Sequence, residues 1–150
     1  MPDIILSRAD PEEARPLLEA SHALMRALFA PEENHFLSFE ALRADSIRFF
    51  AARDPGGAML GCGALALKDG YGEVKSMFTA QAARGRGVAA RMLARLEEEA
   101  RAEGLAVLRL ETGDKLEAAH RVYARAGFAT RGPFGAYTAN GSSVFMEKAL

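Results

Sequence analysis

Cysteine occurs once in these 150 residues and tryptophan not at all. One thiol cannot form an internal disulfide or a zinc site. Cys62 lies in the apolar run Met59 to Leu67, where a buried, inert thiol is expected rather than a nucleophile. An excess of charge of one sign is also lacking: 19 Lys and Arg stand against 20 Asp and Glu, a net −1. Without an overall basic field nothing recruits nucleic acid or an acidic membrane, so a partner must be recognised at a local site. No apolar run approaches the length of a membrane span, and the start Met1-Pro2-Asp3 lacks the basic-then-apolar order of a secretory leader. These absences predict a cytoplasmic protein. No internal repeat or low-complexity linker divides the chain, and 49% hydrophobic residues at this length suit one domain over residues 1 to 150.

Glycine, proline and the apolar periodicity supply the order of elements. Ile4 to Ser7 reads as a strand. Asp10-Pro11-Glu12-Glu13 reads as a helix start, with an N-cap, a first-turn proline and acids at the positive end of the dipole; the helix is predicted to run to about Phe29. A loop and a short helix opened by Ser38 follow. Ile47 to Arg53, Ala58 to Leu67 and Tyr71 to Thr79 are separated by Asp54-Pro55-Gly56-Gly57 and Lys68-Asp69-Gly70, which predicts an antiparallel meander. Next come a helix from Gly87 to Glu103 closed by Gly104, a strand from Ala106 to Thr112 and a helix from Lys115 to Ala126 ended by Gly127. Phe128 to Gly132 and Ser143 to Glu147 read as closing strands.

The most informative stretch is Arg84-Gly85-Arg86-Gly87-Val88-Ala89. Two glycines that tolerate positive φ, placed before a long helix, let several N–H groups converge on one anion at the positive end of the helix dipole. Three phosphate ligands compete for such a turn. A Walker loop needs Gly-Lys-Ser/Thr at the helix start, and Val88-Ala89 follow Gly87 instead. A dinucleotide fingerprint places its first Gly directly after a buried parallel strand. Here Thr79 to Arg84 intervene, and Glu73 to Phe78 alternate polar with apolar.

The third ligand is coenzyme A, through a resemblance. Arg84-x-x-Gly87-x-Ala89 resembles the phosphate-binding signature of the GCN5-related N-acetyltransferases. Leu110-Glu111-Thr112 followed by Val122-Tyr123-Ala124-Arg125-Ala126-Gly127-Phe128 resembles that family's second conserved region. Gly61-Cys62-Gly63-Ala64, Gly72 to Met77 and the tail Gly132-Pro133-Phe134-Gly135-x-Tyr137 through Ser143 to Lys148 are similar to a bacterial branch of small-molecule acetyltransferases. The resemblance implies an α/β (α+β) fold. Its central mixed, mostly antiparallel twisted sheet would have six to seven strands flanked by about four helices.

The implied activity is acetyl transfer from acetyl-CoA, as co-substrate, to an amine of a small molecule by direct attack, with no metal and no covalent enzyme intermediate. A non-catalytic acyl-CoA-binding module of the same fold is the alternative. Backbone N–H groups of Arg84, Gly85, Arg86, Gly87, Val88 and Ala89 would hold the pyrophosphate, the two arginines adding charge. Main-chain groups of Met77, Phe78 and Thr79 would polarise the thioester and pair with the pantetheine. Tyr123 is the implied general acid, a neutral phenol roughly matched to a thiol. Glu73 is the first choice for general base and Glu111 the second. His35 would line the acceptor pocket, ahead of His22 and His120. The chain departs from the family pattern at Gln81, where many members carry Pro, and at Leu116, where many carry Asn. Relatives often dimerise, so a homodimer through the sheet edge or closing strands is allowed.

Overall fold

The computed structural model describes residues 3–150; Met1-Pro2, part of the reading against a leader, lies outside them. Seven strands form one sheet: β1 (Ile5–Arg8), β2 (Ile47–Arg53), β3 (Met59–Leu67), β4 (Gly72–Thr79), β5 (Val107–Gly113), β6 (Ala129–Arg131) and β7 (Ser143–Ala149). Their spatial order is β1-β2-β3-β4-β5-β7-β6, and every neighbouring pair is antiparallel except β4 with β5. Four helices flank the sheet: α1 (Arg15–Leu28), α2 (Phe39–Leu42), α3 (Val88–Ala102) and α4 (Glu117–Arg125). The mixed, mostly antiparallel α/β architecture is the one the sequence implies.

Two boundaries differ for identifiable reasons. Asp10 caps a 3₁₀ turn, Pro11–Ala14, through a complete capping box with Glu13, and α1 begins afresh at Arg15. A helix continuous from Pro11 would place Pro16 in its interior, where the missing N–H and the ring clash would break it. Starting at Arg15 puts Pro16 in the first turn instead. α4 begins at Glu117, because Leu116 takes φ −95 and ψ 63 and offers no side-chain cap.

The two faces of the sheet are covered separately. α3 presents Val88, Met92, Leu93, Leu96 and Ala100 at helical spacing to a core with Val74, Leu108, Leu110 and Met146. α1 and α2 place Leu18 and Leu42 on the other face against Phe49, Cys62 and Ala64. Glycine decides how closely α3 approaches. A Cβ at Gly61 would lie 2.8 Å from Val88 Cγ1, and one at Gly63 would lie 2.8 Å from Met92 Cγ. Small residues on β3 therefore let the first turns of α3 settle directly onto the sheet beside the end of β4.

Candidate active site

The site begins where two strands separate. β4 and β5 pair only from Gly72–Leu108 to Val74–Leu110, although β4 continues to Thr79 and β5 to Gly113. Lys75 to Thr79 thus turn one backbone edge toward an opening rather than toward a neighbouring strand. At the same point β4 bulges. Cys62 pairs with Phe78 and Ala64 with Lys75, so Ser76 and Met77 both oppose Gly63. Ser76 has φ +55, the one non-glycine residue with positive φ among the described residues, and its buried Oγ has no hydrogen-bond partner there. Left-handed strain of about 1–2 kcal/mol and an unsatisfied hydroxyl at one residue mark a local sacrifice of stability for geometry.

The glycine turn lies at the far end of β4. After the 3₁₀ turn Gln81–Ala83, Gly85 and Gly87 take φ +79 and +80, and Gly87 is the N-cap of α3 without a side-chain cap. The first helical N–H groups have no intrahelical acceptor, no acid stands in the first turn, and open space lies where either glycine would carry a Cβ. Arg84 and Arg86 are exposed and form no ion pair among the described residues. Val88 is buried beneath the turn and anchors it. These residues fit a pyrophosphate: unpartnered donors, a helix dipole and room for an anion. Met77 and Phe78 are half-buried, their side chains packed toward opposite faces, which leaves their main chain facing the opening.

Tyr123 is buried at 7% exposure and packs edge-on against Phe128, with ring centres 5.8 Å apart. Its hydroxyl makes no hydrogen bond among the described residues. Burial, with the charge of Glu111 adding to it, pushes the phenol above its ordinary range, so it is a neutral donor. Glu111 lies on the parted segment of β5 and accepts from Ser143 Oγ at 2.7 Å.

Glu73, 3% exposed, sits one residue before the last β4 residue paired to β5, just ahead of the splay. Tyr137 Oη donates to its Oε2 at 2.5 Å, and Lys75 Nζ stands 3.5 Å from the same oxygen. Lys75 Nζ also donates to Tyr137 Oη and to the His35 carbonyl, each at 2.9 Å. The His35 ring meets Tyr137 at 5.1 Å and 87°. These four residues line a cavity of about 460 Å³ walled further by Ile47 and Ala66. Lys75 and Tyr137 were not singled out as site residues from sequence. Their signal is the tail around Phe134 to Tyr137, which the sequence assigns to the acceptor pocket and the fold sets opposite β4.

Other candidates lie elsewhere or are occupied. His22 is buried, stacked on Phe36 at 4.1 Å, and burial followed by the charge of Arg26 lowers its pKa. His120 Nε2 lies 2.8 Å from the Gly113 carbonyl. Burial pushes the Cys62 thiol up to about 12, consistent with an inert side chain.

Burial is the leading cause that raises all three tyrosines, Tyr71, Tyr123 and Tyr137, above the ordinary phenol value of 10.0. Absorbance titration at 295 nm is therefore expected to show little tyrosinate at pH 10 in the folded protein. The unfolded chain releases these protons first, so folding stability falls as pH rises past about 10. A full tyrosinate step at pH 10 with the fold intact would contradict this packing.

The chain belongs to the Acetyltransferase (GNAT) family, whose model matches residues 12–128. It is 42% identical, over the full length of both chains, to a protein named IAA acetyltransferase from Azospirillum brasilense. A solved Klebsiella pneumoniae chain, named as a proposed acyl-CoA N-acyltransferase, superposes with TM-score 0.83 at 33% identity, covering 98% of this chain and 97% of that one. The fold is also that of a PaiA N-acetyltransferase from Thermoplasma acidophilum solved in complex with coenzyme A: TM-score 0.75, 15% identity, 99% of each chain covered. No helix among the described residues is long and apolar enough to cross a membrane.

Proposed function

We propose that residues 1 to 150 act as one cytoplasmic domain that transfers an acetyl group from acetyl-CoA to an amine of a small molecule, by direct attack in a ternary complex. The observation that carries this reading is the splay. It places the free edge of β4 between the uncapped start of α3 and the cavity that holds Glu73.

Acetyl-CoA supplies a thioester whose acyl carbon accepts the amine. Backbone N–H groups from Arg84 to Ala89 bind its pyrophosphate, with Arg84 and Arg86 adding charge at the rim. The exposed main chain of Met77, Phe78 and Thr79 pairs with the pantetheine amides as an added strand does, and one of its N–H groups polarises the carbonyl. Because the bulge at Ser76 is already formed, that donor needs no reorganisation. Glu73 is the sink for the proton of the ammonium, and Tyr123 Oη donates one to the sulfur. His35 forms part of the acceptor wall.

The burial of Tyr123 and the Leu116 departure favour one competing reading, a non-catalytic acyl-CoA-binding module. Two measurements separate them. Acetyl-CoA at about 100 times its Kd is expected to stabilise the chain by about 2.7 kcal/mol, which for a domain of this size raises Tm by roughly 5–10 °C. Thiol release is then followed with an amine panel that also contains IAA, the molecule in the relative's name. Release with an amine supports the proposal, and acetylation of IAA alone would move the acceptor to another class. Binding without turnover supports the module; no thermal shift sinks both.

A further inference from the structure

Glu73 does not face the cavity freely. Its carboxylate is buried at 3% exposure behind Tyr137, whose hydroxyl donates to Oε2 at 2.5 Å, and Lys75 stands at 3.5 Å on the same oxygen. Tyr137 lines the same cavity as Glu73. Its ring is fixed by Phe134 at 5.2 Å, His35 at 5.1 Å and Phe145 at 5.6 Å, so the hydroxyl has little freedom to swing aside. Oε2 of Glu73 is engaged by the Tyr137 hydroxyl, so a proton bound for that oxygen passes through Oη. The hydroxyl is the atom in position.

We infer that Tyr137 is a catalytic residue of this site: its Oη takes the proton of the acceptor ammonium while passing its own proton to Oε2 of Glu73. The inference rests on the acetyl-transfer reading above. One N–H bond of the ammonium breaks as a new Oη–H bond forms; the old Oη–H bond breaks as Oε2–H forms. The amine keeps the lone pair that attacks the acyl carbon. Tyr137 begins and ends as a neutral phenol, and Glu73 ends as the neutral acid, later returning its proton to water. A phenol held above its ordinary range suits this role, since the relay never requires a stable phenolate. Lys75 Nζ, 2.9 Å from Oη, supports whatever negative charge the oxygen carries midway. Glu73 acts through Tyr137 and is in that sense a positioning residue and proton sink.

The test uses the full chain with acetyl-CoA and the acceptor that the wild type turns over best. Tyr137→Phe keeps the ring that packs on Phe134 and Phe145, and Glu73→Gln keeps an acceptor for the hydroxyl, so both should fold; the acetyl-CoA thermal shift checks this independently of activity. Each substitution is expected to lower kcat about 10²-fold with the acceptor KM within about threefold. The double variant should be no slower than the slower single one, because both remove the same path. Three outcomes overturn the relay: Tyr137→Phe at near-normal kcat while Glu73→Gln is impaired, a raised KM with kcat unchanged, or losses that multiply in the double variant. A wild type that binds acetyl-CoA but turns over no acceptor overturns the acetyl-transfer reading and the relay with it.

Discussion

Gly87→Val is expected to lower coenzyme A affinity by about 100-fold while the chain remains folded. Gly87 has φ +80 as the N-cap of α3, and open space lies where its Cβ would be, so the substitution meets no neighbour. Its cost is conformational. A β-branched residue in the left-handed region is strained by roughly 1–2 kcal/mol, and the chain relieves this by rotating the turn toward extended φ. Rotation leaves the core of α3 in place, since Val88, Met92 and Leu96 are held by the sheet. It does redirect the N–H groups of the turn. Losing two hydrogen bonds to a charged phosphate, each worth about 1.5 kcal/mol or more, amounts to roughly 3 kcal/mol, which is about two decades in Kd. Calorimetric titration with coenzyme A, together with the Tm of the free variant, separates the two effects. A Tm lowered by a few degrees with unchanged affinity would remove the phosphate from this turn.

The turn was legible in the sequence because its chemistry is local: two glycines, a helix start and no acid within six residues. The meander was legible for the same reason, since Asp54 to Gly57 and Lys68 to Gly70 carry their own turn signals. The bulge was not. Ser76 has no residue-level preference for positive φ, and only its register against Gly63 on β3 reveals that one strand carries an extra residue. The capping signal at Asp10 predicts a helix from Pro11, but Pro16 resets the start of α1 by four residues to Arg15. The acceptor cavity shows the strongest dependence on tertiary structure. Glu73 could be singled out on β4, where Lys75 stands 3.5 Å from its carboxylate. But the group that covers its carboxylate arrives from the irregular segment between β6 and β7. No periodicity predicts where Tyr137 lands, and aromatic packing on Phe134 and Phe145 decides it.

Tyr123→Phe is expected to reduce turnover about 10²-fold with little change in cofactor binding or stability. Stability is what separates the two roles open to this residue. A core tyrosine with a satisfied hydroxyl would lose a hydrogen bond on truncation, at a cost of roughly 1 kcal/mol. Tyr123 makes no such bond among the described residues, so deleting its oxygen leaves no partner stranded and the packing against Phe128 unchanged. Tm should therefore move by no more than about 2 °C, and any large loss of rate comes from chemistry. Burial argues for the lower end of the general-acid range. A phenol raised above its ordinary value parts with its proton less readily than one near 10, while a thiol of pKa about 8.5 demands that proton only weakly. A decrease of two decades rather than four follows from that mismatch. Single-turnover thiol release, measured beside calorimetric binding of acetyl-CoA, gives the rate and the affinity separately. Near-normal release from a variant with wild-type Tm would return Tyr123 to the core and leave the sulfur to take its proton from water in the opening between β4 and β5.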